Sequence, residues 1–135
     1  MTLSDFFQRL DAPLRNVRWS WGAKRESDGA IFLRVWQDEC RRLEGSMRVR
    51  VSVPKEVSRN EGKPGREERK EHIAEIRGGA PTYLIMCRAE NPGAHPRTIA
   101  GFNSSEVFVG GEVIEDGDGC WVEIIDRRPA DDVRS

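Results

Sequence analysis

The stretch from Asn16 to Cys40, NVRWSWGAKRESDGAIFLRVWQDEC, holds three of the four tryptophans in the chain, with arginines set among them. Indole rings stack on flat groups, and guanidinium groups bind phosphate or base edges through two parallel N–H donors. Rings beside guanidinium groups therefore suit a nucleic-acid base that is single-stranded or turned out of its helix. The candidates are Trp19, Trp21 and Trp36 for stacking, and Arg18, Arg34, Arg48 and Arg50 for phosphates or base edges. Trp19 and Trp21 lie two residues apart and could line one pocket, with Gly22 allowing close backbone approach. The competing expectation is that these rings fill the core and the arginines pair with carboxylates at its margin.

Other chemistry is less well represented. His72 lies in REERKEHIAEI, a helical pattern that puts it on one flank with Arg69 and Ile76. His95, in NPGAHPRT, lies in a loop and is slightly better placed for binding. Glu68-Arg69-Lys70 matches the minimal E-x-K of metal-dependent nucleases, but it sits in a charged helix rather than on a strand. Glu68, Lys70 and His72 are the residues an enzyme would use, although nothing in their spacing makes them converge. Glu115–Gly119, EDGDG, lacks the distal glutamate of an EF-hand and reads as a hairpin turn. Two histidines without a cysteine pair give no transition-metal pattern, and no phosphate-binding or dinucleotide motif is present. The expectation is a binding module with no catalytic residue, no metal and no cofactor.

Cys40, Cys87 and Cys120 are widely spaced and odd in number, which fits reduced thiols in a cytoplasmic protein. No run approaches about 18 apolar residues, so no membrane partner is expected. The net charge of −1 excludes a generic polycation. The charge is uneven: residues 1–77 carry 17 basic against 13 acidic side chains, and residues 78–135 carry 5 against 10. Arginine outnumbers lysine 18 to 4. Contact with nucleic acid would then come from a patch, one base and a few phosphates rather than a duplex. The same asymmetry allows a homodimer in which basic and acidic halves meet, with Phe32 and Trp36 in the interface.

The elements that must position these residues follow from periodicity. Leu3, Phe6, Phe7 and Leu10 fall near one face of a short helix that Thr2 or Ser4 can cap. Asn16–Ala23 and Ala30–Asp38 alternate as strands around an Asp28-Gly29 turn, and residues 47–53 alternate again, so the three read as an antiparallel meander. On that reading Ile31, Leu33 and Val35 face inward, and Phe32, Arg34 and Trp36 face outward. REERKEHIAEIRGG predicts a helix stopped by Gly78-Gly79. TYLIMCRA predicts a strand covered on both sides, with further strands at TIAGF, EVFVGGEVI and CWVEIID. Glycines in the late strands suggest bends or bulges.

The fold class is α+β, a small curled antiparallel sheet or partly closed β-barrel with two flanking helices. A single domain spans residues 1–128, and residues 129–135 read as a flexible tail. A Trp-rich first strand, a meander, an Arg/His helix, an apolar strand and a closing Trp strand together resemble PUA-like domains, including the EVE and YTH-type readers of modified bases. WSWGA…FLRVWQDE also looks like a signature of small bacterial proteins. The PUA-like resemblance implies a small barrel that holds a flipped base in an aromatic pocket, with Trp19, Trp21 and Trp36 as the cage.

Overall fold

The computed structural model describes residues 1–52, 63–94, 97–117 and 119–134. The chain is a mixed α+β domain. Helix α1 (Leu3–Arg9) precedes strands β1 (Gly22–Lys24), β2 (Ile31–Trp36), β3 (Cys40–Leu43) and β4 (Ser46–Ser52). Helix α2 (Lys63–Arg77) follows, then β5 (Thr82–Ala89), β6 (Ile99–Phe102), β7 (Glu106–Asp116) and β8 (Gly119–Pro129). All eight strands join one sheet in the order β1-β2-β5-β7-β8-β4-β3, with β6 added to β5. The path ends at β1 and β3, so the sheet is open rather than a closed barrel.

The meander expected from residues 16–53 does not form. β2 pairs in parallel with β5, Ile31 opposite Thr82 and Trp36 opposite Cys87, while β4 pairs with β8 and β3. A parallel partner needs a crossover, which β3, β4 and α2 together supply. Local alternation defines strands but not their neighbours, and β5 offers β2 an apolar strand buried on both sides. The β3–β4 hairpin turns at Glu44 and Gly45, both at positive φ (51° and 83°).

The first strand is also shorter than expected. Asn16 accepts the Ser20 amide on its carbonyl (2.9 Å) and the Arg18 amide on Oδ1 (2.8 Å), while its own amide donates to Ser20 Oγ (3.0 Å). Asn and Ser side chains offer the backbone these local partners in place of a ladder. Residues 16–20 therefore coil, and Trp19 and Trp21 precede β1. The Arg25–Gly29 turn is as expected, with Gly29 at φ 76° and Asp28 Oδ1 accepting the Ala30 amide.

The sheet carries a core on each face. Ile31, Leu33, Val35, Val49, Val51 and Leu84 pack with Ile73 and Ile76 of α2. On the other face Phe6, Phe7 and Leu10 of α1 pack with Phe32, Ile85, Cys87 and Val107. Thr2 caps α1, its Oγ1 accepting the Asp5 amide while Asp5 accepts the Thr2 amide. Phe32 is fully buried beneath α1, which removes it from the outward face and from any dimer interface. The boundary drawn at residue 128 does not separate a tail either. Ala130–Val133 is a 3-10 turn whose Ala130 and Val133 join the α1 core. The β7–β8 ladder shifts register at Gly110, where a Cβ would lie 2.7 Å from Thr82 Cγ2 and 2.9 Å from Val122 Cγ1. This is the bend that the glycines suggested.

Candidate functional site

Arg69 of α2 is a buried charge, 5% exposed. Its Nη1 donates to the Val51 carbonyl of β4 (2.7 Å), and its Nη2 donates to the carbonyls of Trp21 (2.8 Å) and Arg34 in β2 (2.9 Å). One guanidinium thus links β2 and β4, which the ladder leaves unpaired. Burial and the neighbouring Arg34 charge push its pKa down to about 9. It stays protonated at neutral pH, and three carbonyl acceptors favour that form.

The half-buried Trp21 lies on this anchor, its ring centre 5.9 Å from the Arg69 guanidinium. Trp21 packs on the first turn of α2: a Cβ at Gly65 would meet Trp21 Cε2 and the Trp19 carbonyl at 2.6 Å each. The Arg34 amide donates to the Trp21 carbonyl (2.9 Å), and the Arg34 guanidinium lies 5.5 Å from the Trp36 ring centre. Gly65→Ala should therefore destabilise the fold by about 1–3 kcal/mol. It should also shift tryptophan emission in the folded state, because the indole must move to admit the methyl. An unchanged spectrum and urea midpoint would contradict this packing.

Trp36 also faces Arg97, whose guanidinium lies 5.3 Å from the ring. Arg97 grips Asp38 with two 2.8 Å hydrogen bonds and lies 3.6 Å from Glu39, which in turn accepts from Arg50 at 2.7 Å. Two carboxylates, Asp38 and Glu39, thus serve Arg50 and Arg97, while the third cation nearby, Arg34, has neither an ion pair nor a side-chain hydrogen bond among the described residues. Burial pushes the Arg34 pKa down, with Cys87 opposing. Cys87 is itself pushed up to about 11 by burial, so it is a neutral thiol.

The remaining predicted arginines are elsewhere. Arg18 is exposed in the 16–20 turn. Arg48 pairs with Asp116 (3.0 Å), and Arg41, Arg48 and Arg50 surround the Trp121 ring at 4.8, 5.0 and 5.9 Å. Trp121 is 1% exposed, and its Nε1 donates to Asp116. Sequence reasoning gave this fourth tryptophan no part in the site. The signal was its place in the last strand, but the pairing of β8 with β4 that sets it opposite Arg50 is long-range.

Glu68, Lys70 and His72 do not converge. Lys70 is exposed, lies 3.6 Å from Glu67 and lines a cavity of about 470 Å³, while Glu68 and His72 line a larger one across α2. Among the described residues no group of three His, Cys, Asp or Glu side chains could hold a metal ion. His95 lies outside the described residues. The cysteines are free thiols, Cys87 buried in β5 and the other two half-buried in β3 and β8. No helix among the described residues is long and apolar enough to cross a membrane. No family model, curated protein or solved structure matches the chain.

Proposed function

We propose that the protein is a non-enzymatic binding module that reads a single-stranded or modified nucleic acid at the Arg34–Trp36 neighbourhood. The observation that carries this reading is the unmatched Arg34 guanidinium. It is half-buried, desolvated and held over an indole, with neither an ion pair nor a side-chain hydrogen bond among the described residues. A partly buried charge without a counter-ion is unfavourable, and a phosphate supplies the missing partner in the bidentate geometry that arginine prefers. The half-exposed rings of Trp19, Trp21 and Trp36 offer stacking surface, worth about 1–3 kcal/mol per base. Arg48 and Arg50, already paired with Asp116 and Glu39, have lesser parts. Free thiols fit a cytoplasmic setting.

The test is quenching of tryptophan fluorescence by modified and unmodified single-stranded oligonucleotides over a range of salt. Arg34→Gln keeps size and polarity and removes the charge. It should weaken binding about tenfold and reduce the slope of log affinity against log salt by about 0.7, the share of one phosphate on a single strand. No quenching, or equal affinity and slope in the variant, removes this reading.

A further inference from the structure

On the far side of α2, a cavity of about 1030 Å³ opens between the helix, β1 and the segment after α1. None of its lining residues belongs to the Arg34–Trp36 neighbourhood. Four glutamates, Glu26, Glu68, Glu71 and Glu75, line it beside an Asp11 that has its own partner, against two basic side chains. Those two are shared out: Arg15 lies 3.7 Å from both Glu68 and Glu71, and Lys24 lies 3.2 Å from Glu75. The wall therefore keeps a negative surplus.

Two of its side chains are buried and incompletely satisfied. Glu68 and His72 stand one turn apart on α2 and are 4% and 5% exposed. Glu68 Oε2 accepts from Ser20 Oγ (3.4 Å), while Glu68 Oε1 and His72 Nδ1 are sealed from solvent with no hydrogen-bond partner. Buried polar atoms are nearly always paired, so an unpaired couple lining one cavity points to a partner that comes from outside. Burial pushes the imidazole pKa down to about 4, helped by Arg69 and Arg15. The ring is neutral near pH 7 and has one nitrogen free to accept.

We propose that this cavity binds a compact organic cation, an alkylguanidinium or alkylammonium group, whose N–H donors are received by Glu68 and His72. Donor count favours it, and the glutamates of the wall supply the attraction that offsets the Arg69 and Arg15 charges near His72. The surplus on the wall attracts a cation, a carboxylate oxygen and a neutral imidazole accept hydrogen bonds, and the space beyond them takes an alkyl stem. A bare metal ion lacks its third ligand among the described residues.

The probes are butylguanidinium and its uncharged isostere butylurea, titrated into the full chain by calorimetry and by NMR of the His72 imidazole, assigned by difference from His95→Gln. Butylguanidinium should bind saturably and shift the His72 signals, with butylurea at least about tenfold weaker, a difference of about 1.4 kcal/mol. Glu68→Gln should weaken butylguanidinium by a similar factor, while Glu71→Gln, on the exposed rim, should change it less than about threefold. If Glu68→Gln does not fold, judged by far-ultraviolet circular dichroism, the comparison of the two probes on the unaltered protein still decides. Absence of saturable binding, equal binding of the two probes, or equal loss in the Glu68 and Glu71 variants overturns the proposal. None of these results bears on oligonucleotide binding, which uses other residues.

Discussion

Arg69→Met should lower the unfolding free energy by roughly 3–5 kcal/mol, measured by urea denaturation. The methionine fills most of the apolar volume of the stem but donates no hydrogen bond. Three carbonyl oxygens, from Trp21, Arg34 and Val51, lose a charged donor at 2.7–2.9 Å. The Trp21 oxygen keeps the Arg34 amide, so the heavier loss falls on the other two. Arg69→Lys distinguishes charge from geometry. An ammonium is a compact point charge and cannot span three carbonyls, so lysine should recover less than half of the loss. Hydrogen exchange should localise the damage, with amides of β2 and β4 losing protection before those of the β7–β8 hairpin. A loss below about 1 kcal/mol for the methionine variant, well short of what a buried charged donor contributes, would mean that the link between β2 and β4 is not held by this side chain.

Arg69 shows where the legibility of the sequence ends. Arg69 lies three residues before His72 and seven before Ile76, so its place on the covered flank of α2 was legible. Its partners were not, because they come from Trp21 just before β1, from β2 and from β4, and depend on which strands adjoin. The same limit governs the strands. Alternation in Ile31–Trp36 located β2, but its outward side, read as open, holds Phe32 under α1. Periodicity of two reports that the sides differ, and cannot report that both are covered. Residues 16–20 alternate as well as any strand in the chain, yet Asn16 and Ser20 close a local turn that outcompetes the ladder. The Trp21 ring and the Trp19 carbonyl consequently meet α2 at Gly65, outside any strand.

The candidate site was legible in its rings and not in its charges. Trp19, Trp21 and Trp36 are half-buried, between the two outcomes the sequence allowed. The arginines were read as one cationic surface, and pairing of Arg48 with Asp116 and of Arg50 with Glu39 neutralises half of it. Which arginine is left over depends on the approach of Arg97 to Asp38, 59 residues away. High arginine content in this chain therefore has a structural component: a five-donor fork satisfies several acceptors from separate elements, which lysine cannot do.

Arg25→Met should destabilise the protein by roughly 3–5 kcal/mol, and the loss should not add to that from removing residues 130–135. Arg25 is 4% exposed, with its guanidinium 5.0 Å from the Phe32 ring centre. Its Nη1 donates to the Leu10 carbonyl at the end of α1 (3.0 Å) and to the Val133 carbonyl (2.6 Å), while Nε and Nη2 donate to the two oxygens of Asp28 (3.1 and 2.9 Å). One side chain thus ties α1, the β1–β2 turn and the C-terminal segment together. Truncation after Pro129 strips the Val133 acceptor and the two buried side chains around it. A double-mutant cycle should give an interaction energy of at least about 0.5 kcal/mol, and strict additivity would show that Arg25 does not hold the C-terminal segment in place. Asp28→Asn should have a smaller effect, about 1 kcal/mol, because this carboxylate is half exposed and solvent screens it. The pair also sets a pH dependence. Arg25 holds the Asp28 pKa below its ordinary value of 3.8, so the unfolded chain binds the proton more readily. The stabilisation is then complete above that ordinary value and is lost as pH falls through the lower folded pKa. Asp28→Asn should flatten the acid limb of the stability curve by this amount and leave stability near neutrality reduced, a combination that loss of packing alone would not produce.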